Sequence, residues 1–154
     1  EAVKNLVEMR LNEGTYLKND LESRLDVMRK NLSKIAELSS KFVENHRDSL
    51  FKRLSASGLD LDISDERVIK EIGIFAERCD ITEEITRLES HFAQSEKYFN
   101  NEGSVGRPLD FLVQEMSREL NTIGSKANDA EIAQTIVETK TELEKIREQV
   151  QNVE

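Results

Sequence analysis

PLDFLVQEMSRELNTIG, positions 108–124, is the stretch that decides the fold class. On a helical wheel at about 100° per residue, Leu109, Leu112, Val113, Met116, Leu120 and Ile123 fall within an arc of about 100°. That stripe is one buried face of a helix, with Pro108 suited to its first turn and Gly124 to its end. The remaining residues divide into two flanks. Phe111, Glu115, Arg118, Glu119 and Thr122 lie on one, and Asp110, Gln114 and Asn121 on the other. Glu115 and Glu119 stand one turn apart with like charges, which costs about 0.2–0.5 kcal/mol unless a cation intervenes. Such a pair can offer oxygen ligands to Mg²⁺ or Mn²⁺; the ordinary account is neutralisation by Arg118 or by a neighbouring helix. Phe111 is out of place on a polar flank, where it suits either packing against a partner helix or stacking on a nucleobase.

Upstream, the helical period repeats. Asp80 with Glu83 reads as a capping box opening a helix that runs to about Phe99, with Ile81, Ile85, Leu88, Phe92 and Phe99 as its core stripe. Glu84, Arg87, His91 and Tyr98 follow one edge of that stripe. His91, one of two histidines in the chain, can act there as a general acid or base or bind a metal; a hydrogen-bonded residue at the core margin is the plainer reading. The other, His46, lies among Glu44, Arg47 and Asp48 and reads as surface. The segment NNEGSVGRP, 100–108, is a loop that brings Arg107 and free backbone donors to a helix start, a place for an anion. Before this pair of helices comes a shorter one, capped by Ser64, with Val68, Ile69, Ile72 and Phe75 as its apolar set. After it, Asn128 with Glu131 opens a last helix bearing Ile132, Ile136, Leu143, Ile146 and Val150.

The N-terminal third is different. From Leu6 through Met28 and Ile35 to Leu54 the apolar residues recur mostly at three and four, a narrow stripe of coiled-coil type. Unbroken, it would extend roughly 80 Å at 1.5 Å per residue, too long to bury itself. Gly14 and Ser39-Ser40 are the expected bends, and 55–63 (SASGLDLDI) the expected hinge. The chain is therefore all-α: a long coiled-coil-like helical arm over 1–56, then a bundle of about four shorter helices over 57–154 that holds the polar residues.

Composition agrees. One proline, six glycines and 5% aromatics among 154 residues suit helices rather than sheets. No run of 18 apolar residues exists and mean hydropathy is −0.58, so no membrane helix is expected. The single cysteine, Cys79, reads as a structural thiol in a reducing cytoplasm. The chain starts at Glu1, with the helical pattern already running, as a piece of a longer protein would. The formal charge of −9 is uneven: residues 1–56 carry net +2 and the remainder net −11. Residues 24–53 hold eight basic side chains against four acidic ones, either a solvated helix face or a phosphate-facing strip. No phosphate-binding Gly loop, CxxC or HExxH pattern is present.

Three strings are specific enough to suggest kinship: RCDITEEITRLESHF (78–92), VGRPLDFLVQEMSRELNTIGSK (105–126) and REQVQNVE (147–154), with MRLNEG (9–14) in the long helix. Their order and separation closely resemble the C-terminal half of the bacterial YicC family; where members often carry a proline after the first long apolar stretch, this chain has Ser39-Ser40-Lys41. The resemblance implies an endoribonuclease that depends on a divalent cation (Mn²⁺ or Mg²⁺), acts on RNA and assembles as ring-like homo-oligomers of six chains, with an N-terminal domain preceding these residues. On that reading His91, Glu115 and Glu119 are the catalytic candidates, Glu115, Glu119, Asp110 and Glu84 the metal candidates, and Arg87, Arg107, Arg118, Asn121 and Lys126 the RNA contacts. The alternative is a non-catalytic adaptor that oligomerises and presents RNA to another nuclease.

Overall fold

The computed structural model describes residues 2–58, 65–101, 103–127 and 129–151. Six helices follow in order: α1 (Ala2–Ser40), α2 (Phe42–Ala56), α3 (Glu66–Cys79), α4 (Thr82–Phe99), α5 (Gly106–Lys126) and α6 (Ala130–Val150), with no strand among the described residues. The long arm is thus one helix broken once. α1 runs through Gly14 without interruption. The break falls at Lys41, where Ser39 Oγ donates to the carbonyl of Ala36 (3.0 Å) and Ser40 Oγ to that of Glu37 (2.7 Å). Hydroxyls that bond back to their own helix compete with its backbone ladder, and here two adjacent ones do so in the last turn of α1.

The second half of α1 lies inside the bundle. Leu21, Leu25, Met28, Leu32 and Ile35 are buried with Leu88 and Phe92 of α4, the whole Leu109–Ile123 stripe of α5, and Ile132, Ile136, Leu143, Ile146 and Val150 of α6. Helices α1, α4, α5 and α6 therefore form one four-helix core, and α2–α3 is a hairpin hung between α1 and α4. In α2 no residue is buried and in α3 only Val68 is. The hairpin is closed by rings: Phe75 stacks on Phe42 (centroids 5.4 Å apart) and on His46 (3.4 Å, planes within 8°). His46 is thus half-buried against Phe75 instead of free on the surface, because α3 returns over the apolar side of α2.

The helix starts differ in detail from the sequence reading. Ser64 and Asn128 lie outside the described residues, and the capping carboxylates are their neighbours. Asp65 accepts from the amide of Arg67, and Asp129 from the amides of Glu131 (2.8 Å) and Ile132 (3.0 Å). Asp, like Asn and Ser, caps well, and the adjacent residue decided by backbone geometry wins. The N-cap of α4 is Ile81, and Asp80 stands one residue before it, accepting from the amide of Thr82 at 2.9 Å. The Thr82 hydroxyl, together with this amide bond, holds its carboxyl below the usual range. Glu83 pairs with Arg87. Pro108 sits in the first turn of α5, which runs past Gly124 to Lys126.

Three of the eight basic side chains over 24–53 are taken up by packing between helices. Arg24 pairs with Glu142 of α6 (3.0 Å), Arg29 with Glu96 of α4 (2.5 Å) and Lys34 with Glu131 of α6 (2.9 Å). These cations face the acidic helices that α1 packs on, so they form inter-helix ties and not a phosphate strip.

Candidate functional site

Most of the polar residues singled out in the sequence meet along the seam between α4 and α5. Two cross-helix pairs set its antiparallel register: Glu84 with Lys126, and Arg87 with Glu119. In that register Glu115 comes opposite His91, one turn further along.

Glu84 begins the seam. Its carboxylate is only 5% exposed, far drier than a place on the edge of a stripe suggests. Lys126 Nζ donates to Glu84 Oε1 at 2.8 Å and to the carbonyl of Asp80 at 2.9 Å, tying the end of α5 to the start of α4. Glu84 Oε2 is buried without a partner. One turn on, Arg87 reaches Glu83 on its own helix and Glu119 across the seam (3.3 Å). Glu119 is 9% exposed, whereas Arg87 is 53% exposed. The bond to Glu119 and the neighbouring carboxylates raise the guanidinium above its ordinary value. Glu115 is held by Arg118 at 2.6 Å, with Arg118 itself 72% exposed. The like-charged pair Glu115 and Glu119 is thus tolerated because a guanidinium serves each member. His91 is half-buried, and its Nδ1 has no hydrogen-bond partner. Two buried orphan polar atoms within two helical turns are uncommon in a folded domain, where such atoms are normally paired.

The other candidates lie elsewhere. Asp110 is on the opposite flank of α5, where it accepts from Gln114 (2.8 Å) and acts electrostatically on Arg147 of α6. Asn121 shares that flank and accepts from Lys140 at 2.7 Å. Arg107 is exposed at the start of α5, roughly 28 Å along the helix from Lys126. The four proposed metal carboxylates therefore do not converge: Glu84, Glu115 and Glu119 are strung along the α4–α5 seam, and Asp110 lies on the α6 side of α5. Among the described residues no three of His, Cys, Asp and Glu stand close enough to hold an ion. With Glu84, Glu115 and Glu119 each engaged by a cation, the donor set of this chain, as folded, does not fit a divalent ion. The sequence reading missed the bond between Lys126 and Glu84. No local pattern announces it, because 42 residues separate the partners.

Cys79 is half-buried beside a cleft of about 650 Å³ between the α2–α3 hairpin and the bundle, and burial pushes its thiol up. No helix among the described residues is long and apolar enough to cross a membrane.

Fold and seam together define an all-α domain whose polar residues are gathered on one inter-helix face, with guanidiniums directed outward and carboxylates inward. The family model for the C-terminal part of YicC-like endoribonucleases matches residues 35–154. The chain belongs to this family. It is 45% identical over its full length to a protein of Clostridioides difficile (strain 630), and 34% identical to one of Haemophilus influenzae (strain ATCC 51907 / DSM 11121 / KW20 / Rd), both named probable endoribonuclease YicC. The chain spans about half the length of these curated relatives, 53% of each.

Proposed function

We propose that these residues are the helical part of an endoribonuclease and that the α4–α5 seam takes part in cleaving RNA phosphodiester bonds. Two observations on the seam support this: Arg87 and Arg118 each pair with a carboxylate while remaining more than half exposed, and His91, one turn beyond Arg87, has an unpaired ring nitrogen. Cleavage concentrates negative charge on the phosphate in the transition state, and it requires proton transfer to and from the attacking and leaving oxygens. Arg87 and Arg118 would bind the phosphate. Glu119 and Glu115 would hold these guanidiniums in place, so that less order is lost when the phosphate arrives. His91 would move the proton. The dependence on Mn²⁺ or Mg²⁺ is proposed for the complete protein, in which further donors would have to join Glu115 and Glu119. Assembly into a ring is proposed likewise. The charge of −9 makes these residues a poor RNA binder alone, so the positive field would come from the rest of the protein.

The experiment is cleavage of a structured RNA by the full-length protein carrying Glu115→Gln, Glu119→Gln or His91→Ala, with and without EDTA. The proposal expects each variant to be slowed and EDTA to stop the wild type. Wild-type rates from all three would move the reaction centre away from the seam. The completed ion pairs also favour a second reading, an adaptor that presents RNA to a separate nuclease. It predicts RNA binding by the purified protein with no cleavage in any cation.

A further inference from the structure

Phe111 is 60% exposed on α5, and among the described residues neither an aromatic ring nor a cation lies on its face. Its surroundings argue against a helix-packing knob. A helix seam needs apolar residues three, four and seven positions away on the same face. The positions four before, three and four after, and seven after Phe111 are Arg107, Gln114, Glu115 and Arg118. A single ring framed by guanidiniums meets a different requirement: an unpaired nucleobase stacks on one aromatic face while cations hold the flanking phosphates. On the wheel Arg107, Phe111 and Arg118 fall within about 40° of one another, with Arg107 about 6 Å before the ring along the axis and Arg118 about 10 Å beyond it. Arg107 is exposed and has no ionic partner among the described residues. Beside Arg118 a groove of about 410 Å³ runs between α5 and α6, lined by Arg118, Lys140 and Arg147 and by one carboxylate, that of Glu144.

We propose that Phe111 is a stacking platform for an unpaired base of single-stranded RNA, with Arg107 and Arg118 contacting the backbone on either side and the α5–α6 groove continuing the strand's path. The inference rests on the RNA reading above and adds to it the conformation of the substrate, single-stranded at this point, and the residue that grips it. Phe111 also lies one turn from Glu115, so a base stacked there would set which phosphate reaches the seam.

The experiment uses the full-length protein and a labelled, nuclease-resistant 2′-O-methyl oligoribonucleotide, with affinity read by fluorescence anisotropy. Phe111→Ala should weaken binding roughly 5- to 150-fold, the range that loss of one base–aromatic stack produces. Phe111→Trp should restore affinity, with its emission quenched on binding. An oligomer made abasic throughout should bind wild type and Phe111→Ala alike. Arg107→Ala should lower the slope of log affinity against log salt by about 0.7, the loss of one phosphate contact on a single strand, while Phe111→Ala leaves the slope unchanged. Wild type that binds RNA with Phe111→Ala equal to it would overturn the platform and leave the RNA reading standing. Wild type that binds no RNA would overturn both. Phe111→Ala that changes the oligomeric state by light scattering, with RNA affinity intact, would show the ring to be a protein contact and overturn the platform.

Discussion

Replacing Lys126 with Met keeps the side chain's length and removes its charge, and so tests the seam at its driest point. Glu84 is 5% exposed and one of its oxygens already lacks a partner, so the substitution leaves a carboxylate with neither oxygen satisfied. Breaking a buried ion pair by removing one partner costs about 3–5 kcal/mol. Lys126 itself is 32% exposed, so water reaches this end of the pair, and the loss expected here is about 2–3 kcal/mol. For a domain of this size each kcal/mol moves the midpoint by about 2–4 °C, so Tm should fall by about 4–12 °C. The double variant Glu84→Leu with Lys126→Met removes both charges and fills the same space. It should return to within about 1 kcal/mol of wild type, because the costly species is the unpaired carboxylate and not the missing bond. Urea unfolding followed by far-UV circular dichroism at neutral pH measures both. If the single variant loses less than about 0.5 kcal/mol, or the double variant is no better than the single, Glu84 is not held in a dry environment by Lys126 and the argument for the seam's register is wrong.

Further expectations follow from other contacts. Leu120→Ala, at a fully buried position of α5, should cost about 2–5 kcal/mol in the same urea experiment. Asp129→Ala should destabilise by about 1 kcal/mol through loss of the α6 cap, with Asn128→Ala nearly silent; equal losses would place the cap wrongly. Glu96 and Glu142 have carboxyls lowered from the ordinary 4.5, chiefly by the bonds from Arg29 and Lys145 respectively. Their contribution is fully present above that value and is lost as pH falls through it towards their folded-state values. The urea midpoint should therefore decline on acidification below about pH 5, and less steeply in a Glu96→Gln, Glu142→Gln double variant. Parallel declines would remove these pairs from the acid response.

How much of this was legible beforehand differs between the helices and the seam. A period of 3.6 in apolar side chains is a local property, and it placed Leu109 through Ile123, Ile81 through Phe99 and Ile132 through Val150 on their helices with the correct faces inward. The break after Ser40 was legible for the same reason, since hydroxyls bonding back to carbonyls three residues away act within one helical turn. Caps were legible to within one residue, because Ser64 and Asp65, or Asn128 and Asp129, are chemically near-equivalent and only backbone geometry chooses between them.

Local patterning was enough to establish that the chain is helical, which faces are apolar, and that Glu115 and Glu119 share a flank with Arg118 and Phe111. Which charges meet depended on how the helices pack. Arg87 comes to Glu119, Lys126 to Glu84, and Arg24, Arg29 and Lys34 to carboxylates of other helices, across separations of 32 to 118 residues. Packing also sent Asp110 to α6, away from the other carboxylates. The reason is geometric: helical periodicity fixes angles around one axis, whereas an ion pair needs two axes at a set distance and register, and these are chosen by how the apolar stripes interdigitate.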